Sequence, residues 1–216
     1  MTTDYVPDPE RDISALLRGF FDHVAVTLAE NSLPATHLAD IQQRHRELDA
    51  ADAARVIDEP ARYNLRMTLA LVAAHEVLVP LLGRAESLAA VRDAFMRPLG
   101  AAVRDATKAM LDAAPDPFAA LVAVSKAREE YQFGAGFTFE RPVDDDRRYH
   151  VDVVRCFYYD VLAAHSATEL APVMCEFDTN WMDAVDPSAH GFRFDRVTTI
   201  GLGGSRCPFH FTRTDA

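Results

Sequence analysis

The chain has 216 residues, 49% of them apolar, enough for a substantial buried core in one large domain or two small ones. Its 22 lysines and arginines stand against 33 aspartates and glutamates, and the net charge of −11 is spread along the chain without a basic stripe, which argues against nucleic-acid binding. No apolar run approaches the roughly 20 residues of a bilayer span, and the start MTTDYVPDPERD is acidic and proline-bearing, unlike a signal peptide; the expectation is a cytoplasmic protein that binds no nucleic acid and no membrane.

The first segment, RDISALLRGFFDHVAVTLAEN, sets Ile13, Leu16, Leu17, Phe20, Phe21, Val24 and Leu28 three and four apart, one apolar helical stripe with Asp12 as its cap. LPATHLADIQQRHRELDA reads as a second helix with one exposed face. EPARYNLRMTLALVAAHEVLVPLLG is the most hydrophobic segment and predicts the central core helix, with Pro60 at its start and Gly83 at its stop. Pro80 is expected to kink or end it about one turn before the glycine. AESLAAVRDAFMRPLGAAVRDATKAMLDAAP continues the helical period with an interruption near Pro98 and Gly100, and DPFAALVAVSKAREEYQFG predicts one more helix ending at Gly134.

Beyond Gly134 the period changes to two. GAGFTFERP alternates as a strand, and RRYHVDVVRCFYY predicts a second strand that turns helical near Tyr158, with the polar VDDDRR as connection. Thr168 to Val185 has helical spacing, capped by Thr168 and closed by Pro187. GFRFDRVTTIGLGGSRCPFHFTR predicts two strands, Phe192 to Ile200 and Arg206 to Thr212; GLGGS between them lacks the lysine of a phosphate-binding loop and reads as a hairpin turn. The fold class is α+β: a helical N-terminal bundle, residues 1–133, then a region from 134 to 216 with a small antiparallel sheet and one or two covering helices, packed as one globular unit.

Three cysteines, an odd number in a chain without an export signal, are read as free thiols. Cys175 and Asp178 share a helix face, with Trp181 adjacent, and strand alternation turns Cys207 inward with Phe209 and Phe211 while His210 points the other way. Cys156, at the end of the second strand, can join them. Two chemistries fit. A thiolate attacks an electrophilic carbon while Asp178 moves a proton, a route that needs a nearby cation from Arg155, Arg206 or His165. Alternatively Cys156, Cys175 and Cys207 hold zinc, although their spacing matches no standard zinc motif. Plain core packing of the three thiols is the bland option, and Tyr158 is either a packing aromatic or a proton donor to the site.

The run CFYYDVLAAHSATELAPVMCEFDTNWMDAV followed by FRFDRVTTIGLGGSRCPFHFTR resembles the L-2-amino-thiazoline-4-carboxylic acid hydrolase family, in which C-x-Y precedes a helix carrying C-x-x-D and a glycine-bearing turn leads into a final C-x-F strand. Cys156, Tyr158, Cys175, Asp178, Gly203, Cys207 and Phe209 fall on that pattern, and the likeness covers about residues 125–213. It departs at Pro208, where the family usually carries an aspartate. The resemblance implies a bacterial metabolic hydrolase that opens a small nitrogen heterocycle. Catalysis would fall to Cys175, Asp178, Cys207, Cys156 and Tyr158; substrate contacts would fall to Trp181, His165, Arg155 and Arg206; no cofactor is required unless it is zinc. A fainter likeness, in the glycine turn and the closing C-x-F, is to vinyl-reductase-type sensor domains with cysteine-bound zinc. The helical half carries no motif and is open to use as a lid, a homodimer surface or the wall of a small-molecule pocket.

Overall fold

The computed structural model describes residues 7–214; the acidic start of the chain, up to residue 6, lies outside them. Helix α1, Pro9–Glu30, begins earlier than the apolar stripe predicts because Asp8, not Asp12, caps it by accepting from the Arg11 amide. It is followed by α2, Thr36–Ala51, and α3, Glu59–Leu82. Asp58 caps α3 through the Ala61 amide at 2.7 Å, and Gly83, at φ 87°, stops it. Pro80 does not end the helix: it forfeits only one N–H, and two further residues follow before the glycine.

Contrary to the expectation from apolar runs, α3 is long and apolar enough to cross a membrane. Its apolar residues are used inside the protein instead, since Leu65, Leu69, Ala70, Leu71, Val72, Ala73 and Ala74 are all inaccessible to water. Helix α4, Arg84–Ala113, runs unbroken through Pro98 and Gly100, where an interruption was expected. Both residues sit at close contacts. A Cβ on Gly19 of α1 would lie 2.6 Å from Pro98, and one on Gly100 would lie 2.7 Å from Asn180. Helix α5, Pro117–Arg128, is capped by Asp116 and runs into a π-helical turn, Glu129–Phe133, closed by Gly134 at φ 68°.

Four antiparallel strands follow, interleaved with short helices: β1, Thr138–Asp144; β2, Arg148–Arg155; β3, Phe192–Asp195; and β4, Cys207–Arg213, in the order β1-β2-β4-β3. The fold is α+β. The third strand ends five residues before Ile200, and GLGGS is not a tight hairpin turn: Ile200–Leu202 form a 3-10 turn whose Leu202 amide is capped by Thr199, with Gly203 at φ 88°. Tyr149, Val151, Phe192 and Phe211 face the end of α4 and α5, meeting Leu111, Phe118 and Leu121, so part of the cover on the sheet comes from the helical half.

Between β2 and β3 lie α6, Phe157–Ala164, and, where one helix from Thr168 to Val185 is predicted, a series of pieces. These are a 3-10 turn, Thr168–Leu170, then α7, Ala171–Glu176, α8, Thr179–Met182, and α9, Pro187–His190. Residues of α6, the 3-10 turn and α7, among them Val161, Leu162, Leu170 and Met174, share one buried cluster with α1 to α4. This places the Cys175 segment on the helical core on one side and against the sheet on the other.

Candidate active site

The break between α7 and α8 falls at Phe177 and Asp178, and it creates the site. A continuous helix would satisfy the Cys175 carbonyl from the amide of residue 179. Here that carbonyl instead accepts from Arg196 Nη2 at 3.0 Å, while Arg196 Nη1 donates to Asp178 Oδ2 at 2.7 Å. Arg196 leaves the end of β3, and its guanidinium also lies over the Phe209 ring at 5.4 Å. Trp181 Nε1 donates to the other oxygen, Asp178 Oδ1, at 3.1 Å, and its indole packs on Phe194, Phe209 and Phe211. Asp178 is therefore held from two sides by donors rooted in β3 and α8.

The glycine-rich segment supports the sulfurs. The Ile200 amide donates to Cys207 Sγ at 3.1 Å, and a Cβ at Gly201 would lie 2.8 Å from Cys175 Sγ and 3.0 Å from the Ala171 backbone. Glycine is needed at 201 because a side chain would push Cys175 aside. Cys156 follows the last residue of β2 and opens α6, three residues past Val153, the cross-strand partner of Cys207. Cys156 lies near Cys207 and Cys175, and Cys207 near Cys175 and Asp178. The structure thus brings Cys156, Cys175, Cys207 and Asp178 into one neighbourhood.

Tyr158 joins from α6. Its hydroxyl donates to Asn64 Oδ1 at 3.0 Å, and Asn64, only 1% exposed, donates in turn to the Gln132 carbonyl at 2.9 Å in the π turn. The phenol lies near Cys156, Asp178 and Arg128.

Three expected site residues lie elsewhere. Arg206 precedes Cys207 on the strand and so projects from the opposite face, where it pairs with Asp152 at 2.9 Å beside His210. Arg155 pairs with Asp160 on the surface, and His165 caps α6 and pairs with Asp52 at 3.0 Å. The cations near Asp178 are Arg196 and Arg128, neither of which the sequence pattern singles out. Asn64 and Gly201 are likewise missed. Asn64 leaves a trace in the sequence, a polar residue on the apolar stripe of the most hydrophobic segment.

Among the described residues no three His, Cys, Asp or Glu side chains are grouped so as to hold a metal ion. Two open depressions, one at Asp145–Arg148 and Arg213, the other at Lys126, Glu129 and Arg141, lie away from the cysteines.

Burial pushes the Cys156 thiol up to about 12 and the Cys207 thiol up to about 11, with the Tyr159 and Ile200 amides pulling back part of the way. Both are therefore neutral thiols at neutral pH. Burial likewise raises the Asp178 carboxyl above its ordinary range, against the pull of Arg196 and the Trp181 N–H. Yet 34% of the Asp178 side chain remains open to water, against 8% for Arg196. Asp178 is thus a desolvated carboxyl that water still reaches. The thiols yield a direct expectation: Cys156 and Cys207 alkylate slower than a free model thiol at neutral pH by a factor on the order of a hundred or more. Peptide-level mass spectrometry after a timed iodoacetamide pulse measures this, and labelling at the free-thiol rate contradicts it.

Residues 63–211 match the family model for L-2-amino-thiazoline-4-carboxylic acid hydrolase. The chain belongs to this family. No curated protein and no solved structure gives a significant match. The matched span begins inside α3 and ends in β4, so it takes in Asn64 and Arg128 of the helical half as well as the cysteine segments. The departure from the L-2-amino-thiazoline-4-carboxylic acid hydrolase pattern at Pro208 now has a location. Residue 208 lies on the sheet face away from Cys207 and Phe209, directly across the ladder from Asp152. Asp152 is buried and carries a carboxylate there, bonded to Arg206 and His210. The Pro208 change therefore leaves the sulfur-lined side untouched.

Proposed function

We propose that the chain is a hydrolase that opens a small ring in which one carbon sits between nitrogen and sulfur, as in a 2-amino-thiazoline carboxylate. Family membership supports a hydrolase. The observation that carries the assignment to this site is Asp178, raised by burial, reached by water, pinned by Arg196, and one turn from Cys175. Asp178 protonates the ring nitrogen, which makes the adjoining carbon electrophilic. Cys175, whose carbonyl is held by Arg196, adds to that carbon through its sulfur and gives up its thiol proton; the ring carbon–sulfur bond breaks, and the released sulfur takes up a proton. Water then displaces Cys175, so that one water is consumed and the product is an open-chain thiol bearing a carbamoyl nitrogen. Cys156 and Cys207, held as neutral thiols, line the cavity without competing as nucleophiles. The route uses only the chain's own residues and water.

The test is turnover of L-2-amino-thiazoline-4-carboxylate by catalytic amounts of the purified protein, followed as free thiol and as a mass gain of one water. Many thiols released per chain support the proposal; none released sinks it.

A further inference from the structure

The hydrogen bonds around Asn64 have only one consistent polarity. Its amide faces the backbone carbonyl of Gln132 at 2.9 Å and that of Phe133 at 3.5 Å, and carbonyls only accept. The amide nitrogen must therefore point to the π turn, which turns Oδ1 to Tyr158. An amide oxygen has no proton to give, so the Tyr158 hydroxyl donates to it at 3.0 Å. The phenol proton is thus committed inside the protein, and Tyr158 is not the proton donor that its place beside a cysteine suggests.

What remains available on Tyr158 is its oxygen lone pair. The ring is set edge-on to Phe137 at 4.9 Å, and the hydroxyl is anchored by Asn64, so the oxygen has a fixed direction. Tyr158 is only partly buried as a residue and lies near Cys156, Asp178 and Arg128. We infer that Tyr158 is a hydrogen-bond acceptor for an N–H on the carbon under attack, and that Asn64 is the positioning residue that fixes this role. This rests on the site assignment of the proposed function and assigns recognition of the amino group at that carbon to Tyr158. Protonation of the ring nitrogen spreads positive charge onto that amino group, so the bond to Tyr158 strengthens as the reaction begins.

The test compares L-2-amino-thiazoline-4-carboxylate with its 2-methyl analogue, which has the same shape but no N–H. Binding is measured by calorimetry and turnover by thiol release, for the wild type, Tyr158→Phe and Asn64→Ala. The wild type is expected to bind the amino compound about tenfold more tightly, and Tyr158→Phe to bring that preference to within about twofold by weakening the amino compound alone. Asn64→Ala frees the phenol proton and is expected to erode the same preference with Tyr158 still in place. The inference is overturned if the wild type shows no preference, if Tyr158→Phe keeps it, or if both ligands weaken equally. An amino preference that depends on Tyr158 without any turnover upholds this inference and removes the ring-opening proposal instead.

Discussion

Replacing Asp178 by asparagine is expected to slow ring opening by a factor on the order of a hundred to ten thousand, the usual worth of a positioned proton-transfer group. The fold should survive. Asparagine keeps one oxygen to accept from Arg196, while its NH2 replaces the oxygen that accepts from Trp181, so one of the two bonds that hold Asp178 is lost. Burial already disfavours the ionised carboxyl, so removing the charge relieves a desolvation cost while leaving Arg196 without its counter-ion. These effects oppose each other, and the melting temperature should stay within about 4 °C of wild type, which corresponds to about 1 kcal/mol in a chain of this size. Steady-state kinetics with a thermal melt on the same sample checks both halves. An active Asp178→Asn protein removes the proposed proton-transfer role; an inactive protein that has also unfolded assigns Asp178 to structure.

Arg196→Ala is expected to be the more damaging change to the fold. Arg196 is the nearly buried partner, and it serves Asp178, the Cys175 carbonyl at the helix break and the Phe209 ring together. Breaking a fully buried pair costs about 3–5 kcal/mol; because a third of Asp178 meets water, a loss of about 2 kcal/mol is the appropriate figure here. The pH dependence has a definite sign. Arg196 lowers the proton affinity of Asp178, so its removal raises that affinity further. Whichever limb of the kcat/KM profile reports Asp178 should therefore move to higher pH, the acidic limb if the carboxylate is required, the alkaline limb if the acid is. Lysine at 196 restores the charge but cannot span both acceptors, and should recover the profile better than the stability. An unmoved profile in Arg196→Ala would separate Asp178 from the titration that controls activity.

Much of this architecture is legible in the chain because local pattern and tertiary contact agree. The stripe from Ile13 to Leu28, the capping aspartate and proline at Asp116 and Pro117, and the alternation through Tyr149 and Val151 all report the element that forms. The misreadings arise where a distant residue decides. CEFDTNW is compatible with one helix, and what accompanies its break is an arginine 21 residues later that takes the Cys175 carbonyl. Pro98 and Gly100 look like breakers in isolation, yet their small or rigid shapes are what α1 and α8 pack against. The error over Arg206 was avoidable from periodicity alone. The alternation that turns Cys207 inward turns its neighbour outward, and Arg206 accordingly meets Asp152 on the other face. Arg196 gave no such signal, since its strand ends one residue before it.

The site itself was half visible. The three thiols, Asp178, Tyr158 and Trp181 are present in the sequence pattern and stand together in the fold, whereas the polarity of the Tyr158 hydroxyl depends on two carbonyls of the π turn that only folding brings to Asn64.

The most direct measurement is ligand protection of Cys175 in the Asp178→Asn protein, where slow turnover leaves the ligand intact. With saturating L-2-amino-thiazoline-4-carboxylate, alkylation of Cys175, read on its own peptide by mass spectrometry, is predicted to slow by about tenfold or more, following the fraction of chains with the cavity filled. Cys175 labelled at one rate with and without saturating ligand would place the binding site somewhere else in the molecule.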